Sequence, residues 1–140
     1  QGEVRLINCT IAGNQNTGIH LLEEDVGLGG GSAAVTNTIL WDNGVGIAAD
    51  ATSDARVDHS VVQGGYAGEA VLDAEPRFVN PAGGDYRLDV GSPCIDTGTA
   101  ADAPETDYAG EARPLGAGFD IGAFEYRRET AIDGWMLFRR

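Results

Sequence analysis

Leu6-Ile7-Asn8-Cys9-Thr10-Ile11-Ala12-Gly13-Asn14 aligns without a gap to Val35-Thr36-Asn37-Thr38-Ile39-Leu40-Trp41-Asp42-Asn43. A weaker third copy is Val57-Asp58-His59-Ser60-Val61-Val62-Gln63-Gly64-Gly65. The spacing is 29 residues from Asn8 to Asn37 and 22 from Asn37 to His59. Repeats of this length mark a solenoid, in which one copy cannot bury its own apolar face and must stack on the next. The copies are rich in β-branched residues and end in Asn or Gly, so each reads as a short strand running into a turn. No 3.6-residue period competes with that reading. The expected fold is therefore all-β, a right-handed parallel β-helix of about three turns over residues 1–72. Strands stacked about 4.8 Å apart make three turns only about 15 Å tall.

Asn8, Asn37 and His59 occupy equivalent positions and are expected to form a ladder along the stack. An interior amide ladder would hydrogen-bond between turns, whereas a plain turn preference of Asn explains the same residues. The unequal spacing assigns Glu23 to Ala34 and Asn43 to Ala55 to inserted loops, and loops of a solenoid commonly line its binding face. From Asp73 the apolar runs shorten, and Gly, Asp and Pro become frequent. Residues 73–126 are read as a C-terminal capping segment and 127–140 as a tail, all in one structural domain. The tail carries Trp135-Met136-Leu137-Phe138, expected either to pack back on the last turn or to attach the chain to a partner or surface.

The chain has 140 residues, 22 acidic against 9 basic, and a net charge of −13; every basic residue is arginine. Such a surface lacks the basic stripe that nucleic acid requires and disfavours docking on anionic lipid. No run approaches the roughly 20 apolar residues of a transmembrane helix. Cys9 and Cys94 are too few for a disulfide framework, show no CxxC spacing, and read as buried thiols, with a disulfide as the alternative.

The C-terminal half carries a specific resemblance. Phe78-Val79, Gly84-Asp85-Tyr86, Gly91-Ser92-Pro93, Ile95-Asp96, Arg113-Pro114 and Asp120-Ile121-Gly122-Ala123-Phe124-Glu125-Tyr126 follow one another in order. This series resembles the C-terminal region of secreted bacterial β-helix proteins of the pectate-lyase-like superfamily, in particular the choice-of-anchor Q domain group. Glu75 stands where that group usually has Asp. The resemblance covers about residues 4–126 and implies a secreted or cell-surface protein of bacterial type. It implies no established catalytic residue. The expected role is a non-catalytic terminal module, structural or carbohydrate-contacting. The alternatives are the end of a polysaccharide lyase or glycoside hydrolase whose cleft lies upstream, and a surface attachment or assembly module. The partners expected are polysaccharide, or another β-helix chain at the N-terminal edge.

The acidic motif residues Asp85, Asp96, Asp107 and Asp120 are candidate Ca²⁺ ligands, because hard cations take carboxylate and carbonyl oxygens. Their spacing matches neither an EF-hand nor a calcium β-roll, and Asp beside Gly and Pro also caps turns. Arg77 and Arg113 are expected to pair with carboxylates. A lyase would commonly draw on Lys or Arg as base; lysine is absent, and the net charge repels an anionic polymer. A hydrolase needs two carboxylates on one cleft, for which Asp42, Asp50, Asp54 and Asp58 are the candidates. Trp41 and Tyr66 are candidates for stacking on sugar rings or for packing. His20 and His59 have no matching nucleophile.

Overall fold

The computed structural model describes residues 2–128. The expectations for Trp135 to Phe138 therefore lie outside the described residues. The first half consists of nine strands: β1 (Glu3–Ile7), β2 (Thr10–Ala12), β3 (Thr17–Leu21), β4 (Ser32–Thr36), β5 (Ile39–Trp41), β6 (Val45–Ala49), β7 (Asp54–Asp58), β8 (Val61–Val62) and β9 (Gly68–Glu69). They form three parallel sheets, ordered β1-β4-β7-β9, β2-β5-β8 and β3-β6. Leu6 pairs with Val35 and Val35 with Val57, so the spacing of the sequence copies is the register of the first sheet. The second sheet keeps the same register, with Ile11 opposite Leu40 and Leu40 opposite Val62.

Inward-facing residues of all three sheets meet in one core, which includes Leu21, Val35, Leu40 and Val57. A second core lies on the opposite face of the β2-β5-β8 sheet, where Ile39 and Val61 pack against Leu88, Cys94 and Ile121. That sheet is thus covered on both faces. The double cover explains why β5 and β8 read as continuous apolar runs and β4 alternates.

The bends between the first and second sheets are made by Asn8, Asn37 and His59, all left-handed at φ 51°, 50° and 42°. Asn tolerates that conformation better than other residues with a β-carbon. Asn37 Nδ2 donates to Asn8 Oδ1 at 3.2 Å, so the amide ladder exists between these two rows. A hydroxyl ladder follows one position later. Thr38 Oγ1 accepts from Cys9 N at 3.3 Å, and Ser60 Oγ accepts from Thr38 N at 3.1 Å. At the next bend Asn43 Oδ1 accepts from Asn14 Nδ2 at 2.8 Å.

Three sequence expectations change. The stretch assigned to a loop from Asn43 to Ala55 contains β6, which pairs with β3 along Thr17↔Val45 and Ile19↔Ile47. Glycine and alanine are depleted in strands, so Val45-Gly46-Ile47-Ala48-Ala49 carries a weak strand signal. A short fourth row also exists, because Val57 and Asp58 pair with Gly68 and Glu69, and Val61 bridges Leu72. Finally, residues 73–126 do not sit only over the last row. Asn8 Nδ2 donates to Asp120 O at 3.0 Å, Ala123 N donates to Thr10 Oγ1 at 3.0 Å, and Arg5 pairs with Asp102. The segment runs along the flank of the sheets as far as the first row. The outward-facing apolar side chains of Ile39 and Val61, fully buried beneath it, draw it there, since burying such a side chain is worth about 1.5–3 kcal/mol.

Within that segment β10 (Phe78–Asn80) and β11 (Asp85–Leu88) form an antiparallel hairpin around a short 3₁₀ turn, Pro81–Gly83. Asn80 accepts from Gly83 N, and Gly84 closes the turn at φ 80°.

Candidate functional site

The β10–β11 hairpin leans against the C-terminal ends of β2 and β5, and a groove of about 480 Å³ lies between them. Its size falls within the range of small-ligand sites. Trp41, Phe78 and Tyr86 supply the aromatic walls; Asp42, Glu75 and Arg77 supply the charge. Trp41 ends β5 and is half-buried against the second core. Phe78 and Tyr86 meet edge to face, with ring centroids 5.2 Å apart and planes at 86°. That contact fixes the Tyr86 ring at the groove wall, and the Tyr86 hydroxyl comes within reach of Gly13.

Asp42 and Arg77 both have left-handed backbones, at φ 55° and 56°. Each is held there by neighbours. Asp42 N donates to Gln63 Oε1 at 2.7 Å, and Arg77 O accepts from Asp89 N at 2.8 Å. The Arg77 guanidinium lies over Gly91, where a β-carbon would come within 2.8 Å of it. Asp42 and Glu75 are exposed, and their carboxylates accept no hydrogen bond among the described residues. Aromatic faces with free carboxylates and a guanidinium suit a polyhydroxylated ring, whose C–H faces stack while its hydroxyls bond to charged groups.

The other candidate acids are dispersed. Asp50 is occupied by the Glu23 and Thr52 backbone N–H groups and the Thr52 hydroxyl, which hold its carboxyl far below the usual range. Asp54 opens β7, and Asp58 lies 3.5 Å from the His59 ring. Tyr66 is half-buried against the interior core and does not line the groove with Trp41.

The four proposed calcium ligands are placed in turns and pairs. Asp85 takes a bidentate contact from Arg87, with 2.8 Å from Nε and 2.5 Å from Nη2, and this lowers its pKa. Asp96 Oδ1 accepts from Gly118 N at 2.9 Å. Asp107 accepts from Ala109 N, Glu111 N and Glu125 N at 2.8–2.9 Å. Asp120 accepts from Asp96 N at 2.7 Å and from Tyr126 N. Burial nevertheless pushes the Asp120 carboxyl up to about 6, with the Glu125 and Asp96 charges adding to the rise. Among the described residues no three His, Cys, Asp or Glu side chains are grouped to hold a metal ion.

Arg113 pairs as its neighbours in the sequence suggest. Its Nη1 donates to Glu125 Oε1 at 2.7 Å, with both side chains at most 1% exposed. Both cysteines are free: Cys9 is half-buried, and burial pushes the Cys94 thiol up to about 12. Among the described residues no helix is long and apolar enough to cross a membrane.

Trp41, Asp42 and Arg77 stand out in the sequence one by one, but their meeting with Glu75, Phe78 and Tyr86 does not. The hairpin and β5 are distant in sequence and no repeat relates them. The one available signal was the clustering of Glu75, Arg77, Phe78 and Tyr86 within a dozen residues. Comparison with family models, curated proteins and solved structures finds no match.

Proposed function

We propose that the chain is a short right-handed parallel β-helix and acts as a non-catalytic module that contacts polysaccharide through the Trp41 groove. Three parallel sheets, each pairing successive rows, support the helical path, and parallel crossovers are right-handed in nearly every known case. The motif series from Phe78 to Tyr126 supports placement with secreted or cell-surface β-helix proteins of bacterial, choice-of-anchor Q type. The observation that carries the binding role is the meeting of Trp41, Phe78 and Tyr86 with unpaired Asp42 and Glu75 in one groove. Among the described residues β1, β2 and β3 are edge strands of their sheets, and this supports a second partner, another β-helix chain adding its strands there.

A glycan-array screen with the wild-type chain and Trp41→Ala tests the binding role. Binding that falls at least tenfold in the variant supports the groove; wild-type binding unchanged by Trp41→Ala, or none at all, sinks it. Two carboxylates on one groove also favour a hydrolytic reading. Under that reading Asp42→Asn and Glu75→Gln abolish release of reducing ends from a bound polysaccharide. Under the non-catalytic reading the wild type releases none.

A further inference from the structure

Among the described residues the charged groups of the Trp41 groove are Asp42, Glu75 and Arg77, and they are not equivalent. A β-carbon on Gly91 would lie 2.8 Å from Arg77 Nη1 and 3.5 Å from its Cζ. The guanidinium is therefore seated over Gly91, which takes no part in the groove wall. Asp42 and Glu75 are exposed, and neither carboxylate has a donor among the described residues. The charge left to the groove is thus two free carboxylates beside the half-buried rings of Trp41, Phe78 and Tyr86.

Ionised carboxylates accept hydrogen bonds and donate none. A ligand laid over them must bring donors and offset the water they lose. The hydroxyls of a neutral sugar bring donors without charge, and covering an unpaired carboxylate on those terms is costly. A sugar carboxylate meets like charge, both in the groove and in the field of a chain at −13. An ammonium brings three donors and the opposite charge, and bonds between ionised partners are roughly twice as strong as neutral ones. Ammonium is also attracted to the faces of Trp and Tyr, within about 6 Å of the ring centroid. The carboxylates and the aromatic faces favour the same substituent.

We infer that the Trp41 groove takes a polysaccharide of free amino sugars, with ammonium groups paired to Asp42 and Glu75. This rests on the polysaccharide reading of the groove and adds the charge of the ligand.

Isothermal titration tests this with hexamers of glucosamine, glucose, N-acetylglucosamine and galacturonic acid. Mildly acid pH keeps the sugar amines protonated, and salt of about 0.15 M holds the screening length to about 8 Å, which damps distant charges. The first three hexamers share one β-linked backbone and differ only at C2. The glucosamine hexamer should bind at least tenfold tighter than the glucose and N-acetylglucosamine hexamers, with the galacturonate hexamer weakest. Asp42→Asn combined with Glu75→Gln should remove that advantage and keep the glucose hexamer within threefold of its wild-type affinity. Asn tolerates the left-handed backbone at position 42 as Asp does, and both changes are exposed and isosteric, so the fold is kept. Glu24→Gln combined with Asp25→Asn removes the same charge at exposed positions outside the groove and should leave every affinity within twofold. Equal or tighter binding of the glucose, N-acetylglucosamine or galacturonate hexamer overturns the amino-sugar assignment and leaves the polysaccharide reading standing. Equal losses in the two double variants overturn it too, since attraction to net charge would then account for the preference. Silence of the glucosamine hexamer also overturns it, while the glycan array, which reaches beyond amino sugars, decides the polysaccharide reading on its own.

Discussion

Asp120 is the residue at which charge and burial oppose each other most sharply. It is 1% exposed and accepts two backbone N–H bonds, yet desolvation raises its carboxyl to about 6 from an ordinary 3.8. A raised carboxyl means the folded state holds the proton more tightly than the unfolded chain. The resulting stability is fully present below about pH 4 and is lost as pH rises to about 6. A shift of that size corresponds to roughly 3 kcal/mol. Urea unfolding of the wild type between pH 4 and 6.5 should show that decline, and Asp120→Asn should remove most of it. Asp85 works in the opposite sense: its lowered pKa adds stability above the ordinary carboxylate range that is lost on acidification. The neighbouring Arg113–Glu125 pair sets a second expectation. Glu125 also accepts from Leu115 N and Asp120 N, so Glu125→Ala leaves a buried guanidinium and two backbone donors unmatched. The expected loss is about 3–5 kcal/mol in the unfolding free energy, and Arg113→Met combined with Glu125→Leu should recover part of it.

At the scale of the strands, the third sheet depends on a close approach that only glycine permits. A β-carbon on Gly44 would lie 2.4 Å from Gln15 O and 2.5 Å from Asn16 O, both backbone atoms. Gly44→Ala should therefore push β6 away from β3. Hydrogen exchange at Val45 to Ala49 is expected to quicken at least tenfold, about 1.4 kcal/mol of local opening, while Asp54 to Asp58 keep their protection. The same sheet shows where sequence reading runs out. The pairing of β1 with β4 and of β4 with β7 was legible, because Leu6, Val35 and Val57 repeat the same apolar position. β6 was not, because Gly46, Ala48 and Ala49 give little propensity and their strand character comes from pairing with β3. β9 has only two residues, Gly68 and Glu69, and offers no pattern to find. The amide ladder was half legible: Asn8 and Asn37 bond each other, whereas His59 Nδ1 makes no hydrogen bond to the row above among the described residues. The groove was least legible, since Trp41 and Tyr86 come from elements brought together by packing on Ile39 and Val61, and neither strand encodes that meeting locally.

For the molecule as a whole, the net charge of −13 on 140 residues sets the response to salt. Self-repulsion among surface carboxylates destabilises the compact state, and added ions relieve it. Raising ionic strength from about 0.01 to 0.15 M shortens the screening length from about 30 to 8 Å, so most of the gain falls in that interval. The melting temperature should rise over the same interval and then level off. Calcium provides the discriminating comparison. Asp85 is paired to Arg87, and Asp96, Asp107 and Asp120 already accept backbone N–H bonds, so a bound cation would compete with those contacts for the carboxylate oxygens. At ionic strength held constant with NaCl, 2–5 mM CaCl₂ should move the melting temperature no further than MgCl₂ does. A saturable rise specific to Ca²⁺ would show that a site forms from these carboxylates despite their present partners, and substituting each of the four in turn would then locate it. The screening account makes the opposite forecast, because a nonspecific counterion effect depends on charge and concentration and is blind to the difference in size and coordination between the two cations.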